Sequence, residues 1–158
     1  MSRISMLILS SIVVLSFYLS ACSFWGNDIP TAEMNIHSAQ YLNPDVNGRA
    51  SPVVLIIFQL KNQSTFKGAD YSALAGNSEQ VLGGDLLDKN IVEIRPNTHM
   101  HISQSLTTDT KYIGVIASYR NIDKATWRKV VVINNGKKKT TKIDIDLASE
   151  ALNVSVKK

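Results

Sequence analysis

The stretch 53-VVLIIFQL-60 contains a single polar side chain, Gln59, and therefore offers no polar face to water. A short apolar run rich in β-branched and aromatic residues is typical of a strand that is buried on both faces. The run 112-YIGVIASY-119 has the same character. These two segments predict the central strands of a β-sheet domain.

Segments on either side of these runs alternate apolar and polar residues, which is the pattern of a strand with one buried face. Their apolar positions are Ala32, Met34 and Ile36, then Ile143, Ile145 and Leu147, and finally Leu152, Val154 and Val156. Further strands are predicted at Ile91–Arg95, Met100–Leu106 and Trp127–Ile133. Turn signals such as Asn135-Gly136 separate the strands. Together the segments predict an all-β fold, an antiparallel eight-stranded β-sandwich.

The segment Lys67–Asp88 departs from this alternating pattern. Residues 69–75 favour a short helix, Gly76-Asn77 is expected to end it, and residues 78–82 could form another turn. We expect a short helical insertion that covers one edge or one end of the sandwich.

The N-terminus has the layout of a secretory signal, because Arg3 is followed by an almost uncharged apolar stretch that ends in small residues. Residues 19-LSAC-22 resemble the lipobox of bacterial lipoproteins. That resemblance implies a diacylglycerol on Cys22, cleavage before it, and an acyl group on the new amino terminus. The alternative is a plain signal peptide with an incidental cysteine. Ser23, in place of aspartate, favours transfer to the outer membrane by analogy with lipoprotein sorting.

We therefore divide the chain into a lipoprotein signal peptide at 1–21, a lipidated tether at 22–30 and a β-sandwich domain at 31–158. Cys22 is the only cysteine, so the domain depends on its core and not on a disulfide. Without Arg3, 16 basic and 13 acidic side chains remain, a net charge of +3 that predicts no nucleic-acid partner. The predicted location is the periplasmic face of the outer membrane, held there by lipid.

No motif in the sequence predicts catalysis, since neither a G-x-S-x-G elbow nor a phosphate loop is present. His99 and His101 lie two apart on a predicted strand and could ligate a metal, although a zinc site needs a third ligand. Because Ser103 and Ser105 follow on that face, a solvated polar surface explains the pair better. His37 could join them only if the two strands pair. We expect no enzyme, no metal site and no cofactor other than the covalent lipid.

A series of short motifs stands in a defined order behind the lipobox. They are Asn43-Pro44-Asp45, Gly48-Arg49, Ser51-Pro52-Val53-Val54, Phe58-Gln59-Leu60, Phe66, Ala69-Asp70-Tyr71, Leu82-Gly83-Gly84-Asp85-Leu86, Tyr112-Ile113-Gly114-Val115, Tyr119-Arg120 and Ala125-Thr126-Trp127-Arg128. In order and spacing they resemble the TssJ family of type VI secretion outer-membrane lipoproteins, from about Ala32 to the end of the chain.

The resemblance implies a transthyretin-like sandwich of eight strands with an added helical segment and no catalysis. It also implies a partner, the periplasmic C-terminal domain of the inner-membrane protein TssM. In the family, the loop between the first two strands carries much of the recognition. This loop corresponds to roughly Ser38–Pro52 of the present sequence.

The loop is also unusual in its own right, because connections between strands of a hairpin usually have two to five residues. The candidate partner-binding residues are Tyr41, Leu42, Asn43, Pro44, Asp45, Gly48, Arg49 and Pro52. Tyr41 and Leu42 offer apolar contacts, and Arg49 offers a bidentate donor, as is common in protein interfaces. The alternative is a disordered connection without a partner.

Two other functions remain open beside a scaffold lipoprotein. A periplasmic small-ligand carrier could line a pocket with Trp25, Tyr41 and Phe66. A metal-dependent hydrolase could be built on His99 and His101. The sequence favours the scaffold over the carrier, and the carrier over the hydrolase.

Overall fold

The computed structural model describes residues 29–133 and 140–157, which form two four-stranded β-sheets packed face to face. The strands are β1 (Thr31–Ser38), β2 (Val53–Leu60), β3 (Leu86–Ile94), β4 (His99–Ser105), β5 (Tyr112–Ala117), β6 (Arg128–Val132), β7 (Thr140–Leu147) and β8 (Leu152–Val156). The expected eight-stranded sandwich is confirmed. Three sequence predictions, the signal peptide, Cys22 and the Asn135-Gly136 turn, lie outside the described residues.

The first sheet has the strand order β4-β1-β7-β8, and the second has the order β3-β2-β5-β6. Within the described residues every strand pair is antiparallel except β1 with β7, which run in parallel. The N-terminal strand is therefore central in its sheet, between β4 and β7. Alternation of apolar residues shows which face of a strand is buried, but it does not show which strands are neighbours.

The main core lies between the two sheets and takes one face of every strand. In β2, Leu55 and Ile57 point into this core, whereas Ile56 and Phe58 belong to a second apolar cluster on the opposite face of the same sheet. Successive side chains of a strand point to opposite faces, so a strand that contacts two cores must be apolar throughout. This explains why the run 53–60 has almost no polar residue.

The second cluster is covered by two helices, α1 (Ser64–Gly68) and α2 (Tyr71–Leu82), followed by a 3₁₀ turn at Gly83–Asp85. The buried residues that join the helices to the sheet are Phe58, Leu60, Phe66, Leu74, Leu82 and Ile116. The helical insertion thus covers the outer face of the second sheet, not an edge or an end of the sandwich as expected. No helix in the described part of the chain is long and apolar enough to cross a membrane.

The break expected at Gly76-Asn77 is present inside α2. Asn77 has non-helical backbone angles (φ −143°, ψ 42°), and a second helical stretch follows as far as Leu82, as expected for residues 78–82. One detail of the insertion differs from the sequence prediction. Residues 86–88, placed in the insertion by the sequence, instead begin β3, because Leu86 and Asp88 pair with Leu60 and Gln59 of β2.

The sandwich has two ends with different connections. At the end where β1 begins, the chain enters from residues 29–30 and the β4–β5 connection lies alongside, with the Leu106 N–H donating to the Pro30 carbonyl (2.7 Å). We call this end the tether pole. At the other end, the loop pole, lie the connections 39–52, 95–98, 118–127 and 148–151. The loop 39–52 is therefore at the far end of β1 from the tether.

Candidate functional site

The connection 39–52 is held to its neighbours by backbone hydrogen bonds. Ala39 and Asn43 donate their N–H groups to the carbonyls of Leu147 and Ser149, at 2.8 and 2.9 Å. Ser51 donates its N–H to the Leu42 carbonyl at 2.9 Å, which ties the two ends of the loop together. The alternative of a disordered connection does not fit this geometry, since the loop has a defined backbone.

Asp45 organises the tip of the loop through both of its carboxylate oxygens. Oδ1 accepts the backbone N–H groups of Asn47 and Arg49, each at 2.9 Å. Oδ2 accepts Nε and Nη2 of Arg49, at 2.8 and 2.7 Å. The hydrogen bonds from the backbone and the guanidinium of Arg49 hold the pKa of Asp45 below its ordinary value of 3.8. Gly48, at φ 75°, supplies the left-handed conformation that closes the turn.

Asn43 joins three loops of the loop pole at one buried position. Its side chain is nearly inaccessible, and its φ of 47° lies in the left-handed region that asparagine tolerates better than most residues. The Nδ2 group donates to the Pro52 carbonyl, and Oδ1 accepts the Arg120 N–H, both at 2.8 Å. Each satisfied buried hydrogen bond of this kind contributes about 0.5–1.5 kcal/mol net.

Leu42 and Asn43 are therefore not surface contacts, although the sequence analysis placed them among the partner-binding residues. Leu42 is fully buried in the main core, and Asn43 is occupied by the contacts just described. Because Leu42 follows the exposed Tyr41 in the sequence, it looks like a surface contact, but it packs into the main core and anchors the loop there. Both residues position the loop and do not present a surface.

Among the exposed residues of the loop are Tyr41, Val46 and Arg49. Tyr41 is 65% exposed, Val46 is fully exposed, and the Arg49 side chain is 76% exposed. Pro44 is half-buried and Pro52 is exposed at the base of the loop. Val46 was missed by the sequence analysis. The available signal was an isolated apolar residue at the centre of the polar turn Asp45–Arg49.

An open cleft of about 440 Å³ lies between the start of α2 and the connection 118–127, and it is lined by Asp70, Tyr71, Ser72, Ile122, Asp123, Ala125 and Trp127. Trp127 packs edge to face against Tyr71, with ring centroids 5.4 Å apart, and the Arg128 guanidinium lies 4.6 Å from the Trp127 ring centroid. Arg128 donates to the carbonyls of Phe66 and Ala69. These contacts join the helices to β6, so Trp127 and Arg128 have a structural role.

Of the residues suggested for a ligand carrier, the structure describes Tyr41 and Phe66 and does not bring these two together. Phe66 is fully buried beneath the helices, whereas Tyr41 is on the exposed loop, and Trp25 is outside the described residues. For the hydrolase, residues 29–133 and 140–157 contain no group of three or more His, Cys, Asp or Glu side chains arranged to hold a metal. In the part of the chain that the structure describes, neither alternative gains a site.

Comparison with known proteins gives one family. Residues 30–150 match the family model T6SS-SciN, described as type VI secretion lipoprotein, VasD, EvfM, TssJ, VC_A0113. Among curated proteins, none matches the chain. The family is one of secretion-system lipoproteins and not of enzymes, in agreement with the expectation that the chain has no catalytic activity.

Solved structures agree with this match. The T6SS lipoprotein TssJ1 from Pseudomonas aeruginosa is 34% identical with a TM-score of 0.77, and the alignment covers 82% of this chain and 98% of that one. Serratia marcescens Lip, a membrane-bound component of the type VI secretion system, is 22% identical (TM-score 0.74, 79% and 96% covered) and supports the fold alone.

A chain of the structure described as the TssM C-terminal domain (869–1107) from EAEC is 26% identical, with a TM-score of 0.66 and coverage of 80% and 98%. The family match spans most of the sandwich, and the relative from Pseudomonas aeruginosa covers nearly all of it. The chain belongs to the TssJ family of type VI secretion lipoproteins.

Proposed function

We propose that this lipoprotein is anchored by lipid on Cys22 to the periplasmic face of the outer membrane and acts there as a scaffold of the type VI membrane complex. The signal at 1–21 is removed, and the new amino terminus is Cys22 with its diacylglycerol and N-acyl chain. Two or more chains give stable anchoring, because each buried methylene contributes about 0.8 kcal/mol. Ser23 supports the outer membrane as the destination. We use "mature lipoprotein" below for residues 22–158 with this lipid.

The proposed partner is the periplasmic C-terminal domain of TssM, and the proposed contact surface is the loop 39–52. The observation that carries this proposal is the ordered loop tip, in which Asp45 fixes the backbone while Tyr41, Val46 and Arg49 remain exposed. A preorganised loop loses little entropy when it binds, which favours affinity. The choice of partner is supported by the solved structure described as the TssM C-terminal domain, because one chain in it is similar to this lipoprotein.

The position of the loop is consistent with this role. The tether enters the domain at the start of β1, and the loop leaves from its end at Ser38. The point where the tether enters the domain and the proposed binding surface thus lie at opposite poles. A domain suspended from the outer membrane by its tether would present the loop towards the periplasm, where a protein from the inner membrane can reach it.

The test is a calorimetric titration of the mature lipoprotein, in detergent, with the TssM C-terminal domain from the same gene cluster. We expect binding, and we expect Tyr41→Ala, Val46→Asp and Arg49→Ala each to weaken it by about tenfold or more, as removal of an interface anchor does. Val132→Asp is the matched control, because Val132 is an exposed valine (64%) on the edge strand β6 away from the loop.

Binding that is unchanged in all three loop variants, with circular dichroism unchanged, would exclude the loop as the interface. The absence of any binding by the folded wild type would exclude this domain of TssM as the partner.

A further inference from the structure

The pairing of β1 with β4 brings two histidines together that are distant in sequence. His37 on β1 lies opposite His99 on β4, and their Nδ1 atoms are 2.6 Å apart. The rings meet edge to face, with centroids 4.8 Å apart and planes inclined by 68°. Both side chains are exposed. The condition for His37 to join the histidines of the other strand, that the two strands pair, is therefore met.

His101, the other residue of the pair suggested by the sequence, is engaged differently. Its Nδ1 lies 3.0 Å from Oδ1 of Asn35, its neighbour across the strands. Asn35 in turn donates from Nδ2 to Asp144 at 3.2 Å. The histidine pair with converging nitrogens is thus His37 and His99 across two strands, and not His99 and His101 along one strand.

The distance between the two nitrogens limits the kind of metal that the pair could bind. With a metal–nitrogen bond of about 2.0 Å, two ligands in cis positions of a square-planar ion are about 2.8 Å apart, and two ligands of a tetrahedral ion are about 3.3 Å apart. The observed 2.6 Å is the length of a hydrogen bond between the two rings, in which one Nδ1 carries a proton and the other accepts it. When the donor ring carries its proton on Nε2 instead, both Nδ1 lone pairs are free. Rotation about χ2, a broad torsion for histidine, then aims both nitrogens at one ion at a spacing near the square-planar value.

The surroundings favour a cation. In the parallel register of β1 with β7, His37 lies beside Asp146, which is exposed on the same face. The neighbouring carboxylate, Asp144, is paired with Lys157 at 2.8 Å. Because the described residues contain no group of three or more such ligands, water must complete the coordination of any bound ion.

We propose that His37 and His99 form a surface chelate for Cu²⁺, with both Nδ1 atoms in cis positions and water in the others. Among divalent first-row ions Cu²⁺ binds nitrogen ligands most tightly, and it prefers the tetragonal geometry that this spacing fits. The site lies directly beneath the loop 39–52, where Ser38 N–H donates to the Thr98 carbonyl at 3.0 Å and Asn97 N–H to the Ala39 carbonyl at 3.1 Å. A bound ion links β1 to the edge strand β4 at this point.

The test is a titration of the mature lipoprotein with Cu²⁺, using an affinity tag that contains no histidine, followed by calorimetry and electron paramagnetic resonance. We expect one equivalent to bind, with an axial spectrum that shows coupling to two nitrogens. His37→Ala and His99→Ala each remove one ligand and should weaken Cu²⁺ binding by about tenfold or more. Loss of a residue that only hydrogen-bonds a metal ligand already weakens binding by about this factor. His101→Ala, on the same face of the same strand, is the matched control and should bind as the wild type.

Circular dichroism of the four proteins separates loss of ligands from loss of fold. Equal affinity in the wild type and both ligand variants would identify an adventitious ion only and overturn the proposal. An equal loss of affinity in His101→Ala, or a spectrum without coupling to two nitrogens, would overturn it as well. The outcome is independent of TssM binding, because no partner is present.

Discussion

The Asp45 carboxylate accepts four hydrogen bonds within five residues of chain, and the loop tip depends on its charge. The motif Asn43-Pro44-Asp45 was recognised from the sequence, but the different structural roles of Asn43 and Asp45 were not. Asn43 faces inward and fastens the loop to its neighbours, whereas Asp45 closes the turn on itself. Short polar residues in a loop look alike in sequence, because their partners lie up to 77 residues away.

The first prediction concerns the pH dependence of the loop tip. The pKa of Asp45 is lowered in the folded protein, so the contribution of its charged form is present above the ordinary value of 3.8 and is lost as the pH falls through the lower, folded value. We expect the amide signals of Asn47 and Arg49 to be unchanged in nuclear magnetic resonance spectra between pH 7 and about pH 5, and to shift only in stronger acid.

Asp45→Asn is the matching variant, because it keeps the shape of the side chain and removes the charge that binds Arg49. We expect weaker binding of the TssM domain, with the thermal midpoint nearly unchanged because the Arg49 side chain of the ion pair is 76% exposed. Asp109→Asn at the tether pole, which loses an exposed pair with Lys61, serves as the control. Equal binding by both variants would contradict a role of the tip.

The second residue-scale prediction concerns Cys22. The intact mass of the wild type extracted from membranes should correspond to residues 22–158 plus a diacylglycerol and one further acyl chain. Cys22→Ser should carry no lipid, because a hydroxyl is a far weaker nucleophile than a thiolate. Ser23→Ala should retain the full mass. A wild-type mass without lipid would show that the cysteine is incidental.

At the scale of elements, the two-sided apolar character of β2 was the most informative sequence feature. It correctly predicted a central strand, but it did not show that helices form the second covering layer. Short helices at α1 and α2 have weak local signals, and they exist because Phe66, Leu74 and Leu82 are buried against the sheet. The break at Gly76-Asn77 was predicted correctly, but α1 was not predicted.

Gly114 in β5 provides a test of this helix–sheet contact. A Cβ atom at this position would lie 2.7 Å from the end of the Phe66 ring and 2.9 Å from a methyl group of Leu60, both fully buried. We expect Gly114→Ala to lower the free energy of unfolding by about 1–3 kcal/mol, measured by urea denaturation. The overpacked contact must displace a rigid aromatic ring.

Gly76→Ala is the control for that measurement. Gly76 lies within α2, and a Cβ there would meet no atom within 4 Å. The exchange should be neutral or stabilising by up to about 1 kcal/mol, because alanine has the higher helix propensity. Similar destabilisation by both variants would show that the Phe66 contact is not responsible.

At the scale of the whole molecule, the separation of the two poles can be measured in liposomes. The only native cysteine is predicted to carry lipid, so a single introduced cysteine can be labelled specifically. We expect a fluorophore on Thr108→Cys, at the tether pole, to be quenched by a lipid-borne quencher, and one on Val46→Cys to be quenched much less. Equal quenching at both positions would contradict the proposed orientation.

The overall architecture was predictable because alternating and two-sided apolar strands must bury their faces against each other. The placement of β1 between β4 and β7 was not predictable, because its partners lie 62 to 109 residues away in the chain. The same limitation applies to the histidine pair, which depends on the register of β1 with β4. Contacts between distant segments are set by the folded sheet and not by local sequence.

The central position of β1 also affects how the domain responds to a pulling force. A pull between the membrane and a partner held at the loop would act along the length of this one strand, from Thr31 to Ser38. The backbone of β1 is hydrogen-bonded to β4 on one side and to β7 on the other. A pull along β1 therefore loads both rows of hydrogen bonds in shear. Bonds loaded in shear must break together, whereas bonds at a peeled edge break one at a time. Under the proposed anchoring and partner binding, the fold therefore resists extension along the line between the membrane and the partner.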